Sequence, residues 1–136
     1  MRQELDDLLC QRYPEIFCDR QKDQYETSMC WGFCCGDGWF DIINGLCAVI
    51  DTEVSAGKMP PVVARQVKEK MGSLRFRIHG GNEKTRQLIE LARQNSEHTC
   101  EECGQPAELR ALEFGRVLCT SCADAKQPAM RSVQRE

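Results

Sequence analysis

Histidine is scarce in this chain: two residues in 136. A hydrolase or nuclease built on a histidine-held catalytic metal needs more than that. The local signatures of such enzymes are also missing. There is no His-Glu-x-x-His, no phosphate-binding Gly-rich loop ending in Lys-Ser/Thr, and no Gly-x-Ser-x-Gly. A zinc deaminase carries His-x-Glu ahead of its Cys-x-x-Cys, whereas here the first cysteine pair is preceded only by His98-Thr99. Nothing singles out a Cys–His pair for nucleophilic catalysis, and the expectation is a protein that is not an enzyme. No run of eighteen apolar residues occurs, so no membrane-spanning helix is expected. The opening MRQELDDLLC is acidic and polar, without the shape of a signal peptide, so a cytoplasm is the expected setting.

Cysteine, by contrast, is abundant: ten residues. In a reducing compartment such a count reads as metal binding and buried thiols rather than a disulfide scaffold. The stretch CEECGQPAELRALEFGRVLCTSC, from Cys100 to Cys122, holds two Cys-x-x-Cys pairs separated by 15 residues. Two residues between cysteines let one tight turn aim both thiolates at a single ion. A span of this length lets a hairpin return the second pair, with AELRAL (107–112) and RVLC (116–119) as short strand candidates around Phe114-Gly115. Gly104 follows Cys103 where the turn requires a positive φ. The ligand set Cys100, Cys103, Cys119 and Cys122 is closed, and a closed set of four thiolates is the pattern of one structural Zn2+. Redox Cys-x-x-Cys pairs usually open a helix in an α/β fold, and iron–sulfur spacings usually differ. Zinc is expected to stabilise so small a unit by on the order of 10 kcal/mol. Between its outer cysteines lie four Glu and two Arg, so the ribbon itself is expected to repel phosphate. Of the remaining thiols, Cys47 falls on an apolar helical stripe and reads as core. Whether Cys30, Cys34, Cys35 and Cys47 form a second metal site stays open, with buried or partly exposed thiols the simpler expectation, and Cys10 and Cys18 fit no pattern. His98 is a candidate alternative ligand or outer hydrogen-bond donor. For it and for His79, a solvated side chain is the simpler expectation.

Along the chain, Leu5, Leu8 and Leu9 predict a helix over 2–13, stopped by Pro14. Residues 18–37 read as a loop. Asp37 is a candidate cap for a helix from Gly38, with Trp39, Ile42, Ile43, Leu46, Cys47, Val49, Ile50 and Val54 as a wide apolar stripe. Pro60-Pro61 predicts the start of a further helix with Val63, Val67 and Met71 on one face and Gly72 at its end. SLRFRIH (73–79) alternates Leu74, Phe76 and Ile78 with Arg75, Arg77 and His79, a strand with one buried and one basic face. Its expected partner is the cysteine-rich hairpin. Asn82 caps a helix to about Asn95, with Leu88, Leu91 and Ala92 inward. The expected fold is α+β: mostly helical, with a small antiparallel sheet and a C-terminal four-cysteine zinc ribbon. The body would span 1–97, the ribbon packed on it 98–124, and a flexible tail 125–136.

Charge is segmented. Residues 65–93 carry eight basic and three acidic side chains, whereas 31–64 carry one and four. Lys68, Lys70, Arg75, Arg77, Lys84 and Arg86 are therefore candidate contacts to nucleic acid or to a partner. A solvated face balancing the acidic remainder is the plain alternative. Trp31, Phe33 and Trp39 serve either as interface anchors or as core, with core favoured.

GDGWFDIINGLC, QVKEKMGSLRF and the closing CEECG…LCTSC occur in the same order in a family of small bacteriophage- and prophage-encoded zinc-ribbon proteins, which this chain resembles from about Gly36 to Cys122. Members carry an aromatic where this chain has Met71, and often another where it has Arg77. The resemblance implies an accessory protein in the bacterial host cytoplasm, and no catalytic activity. Small phage proteins of this kind often bind a host protein machine, including components of host defence. A host protein partner is thus the first expectation for function, with modulation or inhibition as the outcome. Nucleic-acid binding through the basic 65–93 face is the second.

Overall fold

The computed structural model describes residues 1–109 and 116–126. Helix α1 (Gln3–Arg12) is followed by a long irregular segment holding three short 3-10 turns and strand β1 (Phe33–Cys34). Then come α2 (Phe40–Ser55), β2 (Val62–Lys70), β3 (Ser73–Gly80), α3 (Glu83–Ser96), β4 (Glu108–Leu109), β5 (Val117–Leu118) and α4 (Thr120–Lys126). The fold is α+β. No described helix is long and apolar enough to cross a membrane.

The first sheet has the order β1-β2-β3 and is mixed rather than purely antiparallel. β1 runs parallel to β2, pairing Phe33 with Val67 and Cys34 with Lys68. β2 and β3 form an antiparallel hairpin. This overturns the helix expected from Pro60-Pro61: residues 62–70 are a strand. Its buried positions are Val62, Ala64 and Val67. They are spaced two and then three apart because a bulge at Arg65 inserts an extra residue. That slip erased the alternation and left Val63, Val67 and Met71 looking helical. Met71 and Gly72 are not a helix end but the two-residue turn of the hairpin, with φ of 54° and 81°. Both signs suit the mirror-image turn that tight hairpins prefer. The partner expected for SLRFRIH is corrected as well. β3 pairs with β2, while β4 and β5 make a separate two-stranded sheet. Of the hairpin expected in the cysteine unit, residues 110–115 lie outside the described residues. So does the tail beyond 126.

One apolar core joins Leu9 of α1, Ile43, Leu46, Cys47 and Ile50 of α2, Val62, Ala64 and Val67 of β2, Leu74 and Phe76 of β3, and Ala92 of α3. Phe17 packs edge-on against Phe33, their ring centroids 4.9 Å apart. The segment 18–31 is pinned by a half-buried ion pair: Arg20 Nη2 meets Asp6 Oδ2 at 3.1 Å, and Arg20 Nη1 donates to the Cys30 carbonyl at 2.9 Å. α3 begins as expected, with Asn82 and Thr85 forming a reciprocal capping box. Leu91, expected inward, is 55% exposed. Asp37 does not cap α2. Its carboxylate takes the Arg2 backbone N–H at 2.7 Å and the Arg2 guanidinium at 2.9 Å instead. A 3-10 turn over Asp37–Trp39 leads into the helix.

Candidate metal centre

The four cysteines expected to bind metal come together. The sulfurs of Cys100, Cys103, Cys119 and Cys122 all lie within 4.8 Å of one another. Cys103 and Cys119 are 3.6 Å apart. A tetrahedral zinc–thiolate site has sulfur–sulfur edges of about 3.8 Å, so the cluster fits an ion of that kind. Two different local structures supply the pairs. Cys100 and Cys103 sit on a tight turn closed by Gly104, whose N–H donates to the Cys100 carbonyl at 2.9 Å and whose φ is 82°. Cys119 follows β5, and Cys122 lies in the first turn of α4, its backbone N–H donating to the Cys119 sulfur at 3.4 Å. Burial pushes the Cys100 thiol up, but backbone donors of Cys119, Cys103 and Glu102 outweigh it and hold it at about 7. Cys122 shifts the other way, raised first by its hydrogen bond with Cys119 and then by burial. A divalent cation removes that conflict by accepting all four thiolates together.

The cysteine unit is not a free appendage. Its first turn docks on the segment Gly36–Trp39 that opens α2. The Gly38 N–H donates to the Glu101 carbonyl at 2.7 Å, and the Gly36 N–H to Glu101 Oε2 at 2.9 Å. The Trp39 indole N–H donates to the Thr99 carbonyl at 2.9 Å. A Cβ on Gly36 would stand 2.2 Å from the Glu101 carbonyl oxygen, so only glycine permits the approach. Glu101 is almost fully buried, and its Oε1 receives Arg116 Nε at 3.0 Å. Burial raises its carboxyl above the usual range, against the pull of Arg116. Sequence reasoning did not foresee this joint. Its trace was the Gly-Asp-Gly-Trp run, in which two glycines flank one polar residue just ahead of a buried indole. Trp39 is fully buried and Phe33 nearly so, while Trp31 is 65% exposed. Core packing thus accounts for two of the three candidate anchors.

Among the described residues no second cluster of metal-ligating side chains forms. Cys35 and Cys47 are buried, and the Cys30 and Cys34 thiols donate to the Thr27 and Trp31 carbonyls. His98 is exposed and stands outside the cysteine cluster.

The six basic candidates divide into two groups. Residues alternate sides along a strand, so the pairing assigns Lys68 and Lys70 of β2 and Arg75 and Arg77 of β3 to the outer face of the sheet. Lys68 stands directly opposite Arg75, and Gln66 opposite Arg77. Cys34, Val63, Ser73 and His79 share that face; none of these strand residues is acidic, and Glu97 of α3 borders the face beside Lys70, Arg75 and Arg77. Glu69 points to the other side, opposite Leu74, and takes the Gly72 N–H at 2.7 Å. None of the four cations is ion-paired among the described residues; Arg77 makes a single contact, to Gln66 Oε1 at 3.4 Å. Lys84 and Arg86 do not join them. They lie on α3, where Lys84 pairs with Glu53 at 2.9 Å and Arg86 with Glu83 at 3.5 Å.

Comparison with family models, with curated proteins and with solved structures yields no match to this chain.

Proposed function

We propose that the chain is a non-enzymatic, zinc-stapled binding protein whose outer sheet face takes nucleic acid. The observation that carries this reading is the set Lys68, Lys70, Arg75 and Arg77: four cations on one face, none ion-paired among the described residues, with no acidic strand residue between them. Setting Lys68 opposite Arg75 costs the hairpin stability, because like charges in register repel. A phosphate backbone lying across the strands relieves that repulsion and releases its own counterions. Zinc is the metal that four thiolates in a closed tetrahedron favour, and its role here is structural. It holds the cysteine unit against the start of α2 and takes no part in chemistry. The resemblance to phage-encoded zinc-ribbon proteins supports a bacterial cytoplasm as the setting.

Fluorescence anisotropy of labelled DNA and RNA with zinc-loaded protein tests the reading. Affinity should fall steeply with salt. Lys68→Glu with Arg75→Glu should weaken binding and lower the log–log salt slope by about 2, with the circular dichroism of the fold unchanged. No binding at low salt by folded, zinc-loaded protein would overturn it.

A second reading, the binding and modulation or inhibition of a host protein, is supported by a groove of about 380 Å3 between α2 and α3. Val49 and Leu91 border it and are 42% and 55% exposed, a typical property of protein-contact surfaces. If nucleic acid fails to bind, recovery of a specific bacterial protein by the wild type but not by Leu91→Asp favours this reading.

A further inference from the structure

One end of the basic sheet face is closed by the turn that precedes β1. Between them lies a polar cleft of about 420 Å3, bordered by Tyr25, Glu26, Thr27, Arg65, Arg77 and His79 among others. We infer that this cleft holds one nucleotide of a single strand, with its base stacked on Tyr25 and its phosphate on Arg77 and His79. The inference rests on the reading of the sheet face as a nucleic-acid surface and adds the form of nucleic acid it selects.

Tyr25 is the most exposed large apolar side chain described, at 89%, and its ring contributes nothing to the core. The backbone beneath it is nonetheless fixed. The Tyr25 N–H donates to Asp23 Oδ1 at 2.8 Å, and the N–H groups of Glu26 and Thr27 both donate to the Asp23 carbonyl. Thr27 Oγ1 donates to the carbonyl of the bulge residue Arg65 at 3.2 Å. Arg65 is committed to the scaffold, donating to the Glu26 carbonyl and pairing with Asp19 at 3.4 Å. A rigid turn thus presents an aromatic ring to solvent at the margin of a cationic surface.

The chemistry of the cleft separates by group. His79 follows Arg77 on the outer face of β3, and neither has an acidic partner among the described residues. Both are donors suited to phosphate oxygens. Glu26 accepts hydrogen bonds only, so it meets a base amino group or a ribose hydroxyl, not phosphate. The cleft volume falls in the range of small-molecule pockets. A base can stack on Tyr25 only after leaving the duplex stack, so a single strand is preferred over a double one.

The test compares a labelled twelve-nucleotide single strand with the duplex of the same sequence, by anisotropy at low salt, using the full zinc-loaded chain. The single strand should bind more tightly. Tyr25→Ala should weaken single-strand binding by about tenfold and leave duplex binding unchanged, while Tyr25→Phe retains the wild-type affinity. Equal binding of both forms, indifferent to Tyr25→Ala but weakened by Lys68→Glu with Arg75→Glu, would overturn the cleft assignment and leave the sheet face standing. Binding of neither form would overturn both.

Discussion

The Cβ that Gly38 lacks would lie 2.1 Å from the carbonyl oxygen of Cys100. The opening turn of α2 and the first cysteine turn are therefore two halves of one joint, with backbone against backbone. Gly38→Ala forces them apart. It should destabilise the protein by about 1–3 kcal/mol and weaken zinc retention against a chelator. Gly45, seven residues on and inside α2 itself, has nothing within 4 Å of where its Cβ would be. Gly45→Ala should therefore stabilise by about 0.5–1 kcal/mol. Chemical denaturation of the two variants checks both signs at once.

Removing the metal should be visible in Trp39. Its indole is fully buried and hydrogen-bonded to the residue just before the first ligand. When a strong chelator releases the cysteine turn, its emission should shift to the red. Trp31 is already exposed and should change little. Adding zinc back should restore the spectrum.

The hairpin turn places Met71 at φ 54°, a conformation an L side chain adopts at a cost that asparagine tolerates best. Because Met71 is also 80% exposed, its side chain contributes little packing. Met71→Asn should raise stability by about 0.5–1 kcal/mol, measured by urea midpoint. A loss of stability would mean that the Met71 side chain contributes more to the fold than its exposure indicates.

Stability and binding should part company at Lys68. Lys68→Glu replaces a like-charge cross-strand pair with an opposite one and should stabilise the hairpin by about 0.5 kcal/mol at low salt. The gain should shrink as salt rises. The same change should weaken nucleic-acid binding.

Thiol labelling should sort the cysteines outside the cluster. Cys18 and Cys34 are exposed and should react with maleimide in the folded, metal-loaded protein. Burial pushes Cys35 up to about 12, and burial together with neighbouring Asp6 pushes Cys10 up to about 11. Only the thiolate reacts, so near pH 8 both should label far more slowly than Cys34. Mass spectrometry of a timed reaction gives the order directly.

The cysteine quartet was legible in the sequence because its information is local: two short turns and a span between them. The capped start of α3 at Asn82 was legible for the same reason. Residues 62–70 were misread because one bulge residue, Arg65, breaks the period of two on which a strand is recognised. β1 escaped notice because two residues pairing in parallel with a strand more than thirty positions away leave no local period. The basic stretch was visible as composition, but composition does not separate a bare cation from a paired one. Lys68 and Lys84 look alike in sequence. Only the fold places Glu53 beside the second and Arg75 opposite the first.

The joint between Gly36 and Glu101 also sets an order in time. The two residues are 65 positions apart in the chain. At about 5–20 residues per second of synthesis, the start of α2 waits several seconds for its docking partner to be made. Until then water must serve the N–H of Gly38 and the indole of Trp39.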